Sequence, residues 1–140
     1  MENEKVVYTG GTFDLFHAGH VNFLRQCSII GSKVVVSLNT DDFIQRYKST
    51  LPLVAYSDRK EILEACRYVH KVIPNSEGED SKPTILSVKP NFIVIGSDWA
   101  SKDYYKQMNF TQEWLDINGI ILIYIPYTQG ISTTILKSKL

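Results

Sequence analysis

The chain has 140 residues, with 15 lysines and arginines balanced by 15 aspartates and glutamates, 44% hydrophobic and 21% charged. That length suits a single domain over 1–140, the aliphatic content excludes global disorder, and zero net charge argues against a nucleic-acid partner. With no apolar run long enough to span a membrane and no signal-peptide layout, the expected compartment is the cytoplasm. There Cys27 and Cys66 stay reduced and serve as small buried hydrophobes.

Short apolar runs alternate with amphipathic stretches. Val6-Val7-Tyr8 is a β-rich run that ends at Gly10-Gly11. Val21 to Ile30 has apolar residues at Val21, Leu24, Ile29 and Ile30, which predicts a helix stopped by Gly31. Lys33 to Leu38 is a nearly continuous β-branched run, as in a strand buried on both faces. Ser57-Asp58, with Glu61 three residues after Asp58, predicts an N-cap and a helix through Arg67. Val69 to Ile73 reads as a third strand stopped by Pro74, followed by a polar loop to Lys82. Pro83 to Val88 is a short helix with proline in its first turn. Phe92 to Ile95 is the fourth strand. Thr111 to Asn118 is a helix ended by Asn118-Gly119, and Ile120 to Ile125 is the fifth strand, stopped by Pro126. Ser132 to Leu140 closes the chain as a helix. The alternation predicts an α/β fold: an open five-stranded parallel sheet with helices on both faces. Ligands bind such sheets beyond the carboxyl ends of the strands, so the loops after strands one, four and five are the places to look.

The first of those loops reads Gly10-Gly11-Thr12-Phe13-Asp14-Leu15-Phe16-His17-Ala18-Gly19-His20. It places two histidines three residues apart at a helix start, where free N–H groups favour an anion. Two imidazoles can add hydrogen bonds to phosphate oxygens, or simply pack the helix start. A metal site fails on ligand count, since the only further histidine is His70. The last loop, Gln129-Gly130-Ile131-Ser132-Thr133-Thr134, opens another helix with three hydroxyls, which can cap it or hold a polyphosphate. Asp98, in Gly96-Ser97-Asp98-Trp99, belongs to the same sheet edge. Three such loops at one edge favour a nucleotide site.

Thr12-Phe13-Asp14 with His17-Ala18-Gly19-His20 resembles the HxGH signature of the nucleotidyltransferase superfamily, and Ile131-Ser132-Thr133-Thr134 is similar to its ISTT signature. Arg67-Tyr68-Val69, Ile73-Pro74 and Gly96-Ser97-Asp98-Trp99 resemble the cytidylyltransferase branch, and the likeness runs from Val6 to Lys137. The resemblance implies a Rossmann-like sheet, a homodimer and transfer of CMP from CTP to a small phosphorylated alcohol, glycerol 3-phosphate by preference. The products would be a CDP-alcohol and pyrophosphate. It implies Mg2+ carried mainly by the nucleotide phosphates, with Asp14 orienting the loop or the ion. His17 and His20 would contact the triphosphate and stabilise the transition state. Gly11, Thr12 and Phe13 would line the nucleotide. Thr128, Gln129, Gly130, Ile131, Ser132, Thr133 and Thr134 would hold its β- and γ-phosphates and ribose, with Tyr127 beside them in the nucleotide site, and Arg67 and Asp98 its cytidine side. Lys48 would contact the α-phosphate. Arg46, in the same loop, would contact the substrate phosphate, as would Lys82; Arg59 would serve that phosphate or a structural ion pair.

This sequence departs from the branch at His70, where an acidic residue is usual, at Tyr127, where arginine is usual, and in a longer loop over Ser49 to Tyr56. Asn39-Thr40-Asp41 is similar to the second-strand loop of heptose-phosphate adenylyltransferases. Two alternatives therefore stand beside the leading one. One is an ATP- or CTP-dependent transferase acting on a sugar phosphate or phosphoethanolamine. The other is a non-catalytic nucleotide-binding module.

Overall fold

A computed structural model describes residues 4–76, 80–126 and 132–140. Strands β1 (Val6–Gly11), β2 (Lys33–Asn39), β3 (Lys71–Asn75), β4 (Phe92–Gly96) and β5 (Ile121–Ile125) form one sheet in the order β3-β2-β1-β4-β5, every pairing parallel. The helices are α1 (Ala18–Ile30), α2 (Asp41–Lys48), α3 (Tyr56–Glu64), α4 (Lys82–Val88), α5 (Tyr104–Met108), α6 (Gln112–Ile117) and α7 (Thr133–Ser138), with a 3-10 turn over Ser97–Ser101. Among the described residues no helix is long and apolar enough to cross a membrane.

Period-two alternation sorts the strand side chains into two cores. Val7 and Val94 point to one face with Phe23, Leu24 and Cys27 of α1 and Leu63 of α3. Tyr8, Ile93 and Ile95 point to the other with Ile85 of α4, Tyr104 and Met108 of α5 and Leu115 of α6. Helices thus cover both faces, as parallel strands buried on each side require.

Several boundaries differ from those expected of the sequence. Gly31 does end α1, but at φ −141° rather than in a left-handed turn. A Cβ there would lie 2.7 Å from Val7 Cγ2 and 2.9 Å from the Lys5 carbonyl oxygen, so close packing against the start of β1 and the residue before it demands glycine. Helix α3 begins after Ala55, with no side-chain cap, and stops at Glu64 rather than Arg67. Pro74 lies inside β3, an edge strand, where a missing N–H is tolerated. Helix α2, the 3-10 turn and α5 are absent from the sequence reading. Each is short, and α2 buries only Phe43 and Ile44.

Candidate active site

A cleft of about 640 Å³ opens along the carboxyl edge of the sheet. Its centre is the loop after β1, which joins β1 to α1 through two non-glycine residues at positive φ, Phe13 (51°) and Leu15 (49°). Such backbone is costly for residues with a Cβ and persists only where the surroundings impose it. The constraint here is Asp14, between them. Its carboxylate, 3% exposed, accepts from the Leu53 N–H (2.8 Å) and the Val54 N–H (2.9 Å) and lies 3.1 Å from the Lys137 ammonium. Its carbonyl oxygen accepts from the Thr133 hydroxyl at 2.7 Å. One residue therefore ties the signature loop to the 49–55 segment and to α7. Burial pushes the Asp14 carboxyl up, but the Leu53 and Val54 N–H groups and Lys137 outweigh it and hold it below the usual carboxylate range.

The two histidines form a reciprocal cap on α1. The Gly19 N–H donates to His17 Nδ1 at 3.0 Å, and the His17 N–H donates to His20 Nδ1 at 3.1 Å. A ring nitrogen that accepts an N–H carries no proton, so in both neutral imidazoles the proton sits on Nε2. Both rings line the cleft and stack on each other with centroids 3.8 Å apart. Burial, followed by the neighbouring His17, drives His20 down to about 3, against a smaller opposing pull from Asp14. Burial also lowers His17. The loop thus presents two neutral Nε2–H donors, which rigid backbone contacts hold in place.

The remaining walls come from both halves of the sheet. On the β4–β5 side stand Asp98, Trp99 and Lys102. Asp98 Oδ1 is buried without a partner among the described residues, while Oδ2 lies 3.5 Å from the Lys102 ammonium. Ser132, Thr133 and Thr134 line the cleft from the start of α7, where the Ser132 hydroxyl caps the helix by accepting the Ile135 N–H. On the β2–β3 side stand Asn39, Asn75, Phe43, Tyr47 and Lys48.

The model of the Cytidylyltransferase-like family matches residues 8–139. The chain belongs to the cytidylyltransferase-like family. It is 36% identical over 137 residues to a glycerol-3-phosphate cytidylyltransferase of Bacillus subtilis, covering 97% of each chain. It is 34% identical to the Staphylococcus aureus protein of the same name, covering 97% of this chain and 95% of that one. Among solved structures it resembles a lipopolysaccharide core biosynthesis protein of Thermoplasma volcanium, with a TM-score of 0.73, 26% identity, and coverage of 90% of this chain and 100% of that one.

Of the residues that family membership brings into question, Gly11, Thr12, Phe13, Asp14, His17, His20, Lys48, Asp98, Ser132, Thr133 and Thr134 all border the one cleft. Tyr127, Thr128, Gln129, Gly130 and Ile131 lie outside the described residues. Three expected contacts, of Arg46, Arg67 and Lys82, are corrected, and of the two readings of Arg59 the structural ion pair is the one found. Arg46 and Lys48 sit on the last turn of α2 and not in a loop. Positions i and i+2 on a helix are about 200° apart around the axis, so only one of the two faces the cleft. Lys48 borders it, while the Arg46 guanidinium reaches the Ser76 carbonyl oxygen and the Phe43 ring. Arg59 is 1% exposed, and its guanidinium donates to Val54 O, Thr12 O, Asn39 O and Asp41 Oδ1. It is a structural strut: four of its five N–H groups are committed to the protein, and it does not border the cleft. Arg67 is exposed on the protein surface, bonded to the Tyr68 hydroxyl and away from the cleft. Lys82 is engaged by Asp80 and the Asn109 carbonyl oxygen.

The sequence reading missed Asn75, Tyr47, Gln107 and Lys137, and took Asn39 only as part of a resemblance. Asn39 and Asn75 had a usable signal: each is the polar residue that ends a strand at the ligand-binding edge.

Proposed function

We propose that this protein transfers CMP from CTP to glycerol 3-phosphate, giving CDP-glycerol and pyrophosphate. The observation that carries the reading is the pair of stacked, neutral histidines whose Nδ1 atoms are both committed to backbone N–H groups. That arrangement suits phosphoryl-group chemistry. It offers fixed donors to phosphate oxygens and, with both rings neutral, needs no proton transfer to do so. The names and full-length coverage of the relatives support CTP and glycerol 3-phosphate as the substrates.

In the reaction, a phosphate oxygen of glycerol 3-phosphate attacks the α-phosphorus of CTP. The bond to the oxygen bridging α and β breaks, and pyrophosphate leaves with the electron pair. No protein nucleophile is required, so the chain contributes alignment and charge stabilisation. His17 and His20 donate through Nε2–H to oxygens that gain charge in the pentacoordinate state. The Lys48 ammonium serves the α-phosphate from α2. Thr134 holds the outer phosphates through its hydroxyl and Thr133, whose hydroxyl proton goes to the Asp14 carbonyl oxygen, through its backbone N–H, while Asp98 holds the cytidine side with its unpartnered Oδ1.

The nucleotide's own phosphates would hold Mg2+, and the chemistry that the ion would supply is neutralisation of charge on the departing phosphates. Among the described residues no group of three or more His, Cys, Asp or Glu side chains could hold a metal ion. Both Asp14 oxygens are already taken, so the nucleotide's own phosphates fit the role of ligand better than this carboxylate does.

Steady-state kinetics with CTP, ATP, GTP and UTP against glycerol 3-phosphate, sugar phosphates and phosphoethanolamine test the assignment. The expected result is a kcat/KM for CTP with glycerol 3-phosphate that exceeds every other pair by about a hundredfold or more, since buried pairing groups reject a mismatched partner. Equal use of ATP, or preference for a sugar phosphate, would replace this reading.

A further inference from the structure

Asn39 and Asn75 lie opposite each other in the parallel register at the ends of β2 and β3, and each is 8% exposed. Both border the cleft. Asn75 Nδ2 donates to Asn39 Oδ1 at 2.8 Å, and Asn39 Nδ2 donates to Thr12 Oγ1 at 3.1 Å. These two bonds form a chain with a direction. Because the Asn39 oxygen is taken by Asn75, its NH2 group must turn toward Thr12. Because Thr12 Oγ1 accepts from that NH2 group, its own proton is left to donate. No acceptor for that proton exists among the described residues, and Thr12 borders the cleft.

The chain is held from beneath. Arg59 Nη1 donates both to the Thr12 carbonyl oxygen (2.8 Å) and to the Asn39 carbonyl oxygen (2.9 Å), fixing the two backbones relative to each other. At the far end Asn75 Oδ1 is buried with no partner among the described residues. A buried acceptor left bare is unfavourable, so its retention needs a reason. A relay that must run one way supplies it: an extra donor at Asn75 is unnecessary, whereas its NH2 group is what sets the direction.

We propose that Asn39 and Asn75 are positioning residues that hold the Thr12 hydroxyl as a hydrogen-bond donor to an oxygen of the transferring phosphate. The proposal rests on the nucleotidyltransfer reading above. Thr12 touches the phosphate, and the two carboxamides act through it. Being uncharged, they orient the hydroxyl without adding charge beside His17 and His20, and consecutive hydrogen bonds in one direction polarise each other. A second consequence is that the chain links the β2–β3 half of the cleft to the signature loop, so the donor is aligned by the same strands that frame the acceptor side.

A double-mutant cycle on the full chain tests this. Asn39→Leu and Thr12→Val are each expected to lower kcat with CTP and glycerol 3-phosphate by about tenfold or more while KM for CTP moves less than about twofold, as for a donor that matters most in the transition state. Together they are expected to lower kcat no further than Thr12→Val alone, because Asn39 acts only through the hydroxyl. Thr12→Ser restores a hydroxyl, and in that background Asn39→Leu should again lower kcat. Asn75→Ala, which frees the Asn39 carboxamide to flip, should reproduce part of the loss. A merely structural Asn39 would show additive losses, with equal effects in the Thr12→Val and Thr12→Ser backgrounds, and that result overturns the proposal. If the unaltered protein releases no pyrophosphate with any acceptor, the functional reading has failed and the phosphate role of Thr12 falls with it; additive losses in a protein that does turn over overturn the relay alone.

Discussion

At the scale of single residues, the account turns on how two imidazoles are held. His17 and His20 are each other's capping partners on α1, so one pair of side chains closes a helix end and presents two donors to the cleft. Replacing either with alanine should lower kcat by about a hundred- to a thousandfold, the usual loss when one donor to developing charge is removed; turnover within a few-fold of the unaltered protein would remove that histidine from the reaction. The lowered pKa values give a second test. In the unfolded chain His20 takes a proton near its ordinary value of 6.5, whereas in the folded chain it stays neutral down to about 3. Between those limits the unfolded state binds the extra proton, so stability falls as pH drops through the window. His17 acts in the same direction, and Asp14 adds a further loss only below its ordinary value of 3.8. Urea midpoints should therefore fall from pH 7 to pH 4.5, and His20→Asn should flatten that slope. An unchanged slope would show that His20 is not the group involved. The HxGH spacing was legible in the sequence, but the tautomers were not, because they depend on where backbone N–H groups point once the loop has folded.

At the scale of elements, the cleft is held together by contacts that cross between segments. Arg59, from α3, donates to carbonyl oxygens in the signature loop, at the end of β2 and in the 49–55 segment, and pairs with Asp41 on α2 at 2.6 Å. Arg59→Met leaves those acceptors and the Asp41 carboxylate without their donor. It should destabilise the fold by about 3 kcal/mol, since each buried carbonyl left without its donor costs about 1–3 kcal/mol. Arg59→Lys should recover little, since an ammonium cannot reproduce a planar fork of donors. Thermal unfolding checks both, and a shift of only a degree or two for Arg59→Met would contradict the strut. In the sequence Arg59 could serve a phosphate or a structural ion pair, and only its burial, which is not visible there, decides for the pair. The same difficulty hid α2. Read as loop, Arg46 and Lys48 looked like neighbours, but the helical turn sends them to different sides. The N-cap Thr40, the acidic first turn and the basic last turn were all present in the sequence, yet a helix with only two buried apolar residues gives little periodicity to read.

At the scale of the whole molecule, the alternation of β-branched runs with amphipathic stretches made the parallel sheet and its two helical layers legible. The strand order was not, because short strands of similar composition do not declare their neighbours. The order β3-β2-β1-β4-β5 places β1 in the middle, with β2 on one side and β4 on the other, so the chain reverses its direction of travel across the sheet beside β1. A crevice opens at the carboxyl end of such a reversal, and the HxGH loop leaves β1 into it. This arrangement explains how residues as distant in sequence as Thr12, Asn75, Asp98 and Thr133 come to border one space. The central claim is that this space transfers CMP to glycerol 3-phosphate. The most direct test is phosphorus NMR of the purified protein with Mg2+, CTP and glycerol 3-phosphate. The account predicts that the triphosphate signals decay as pyrophosphate and the diphosphate diester of CDP-glycerol appear in equal amounts, with both products depending on the acceptor. Triphosphate that stays intact, or that breaks down without forming the diester, would contradict it.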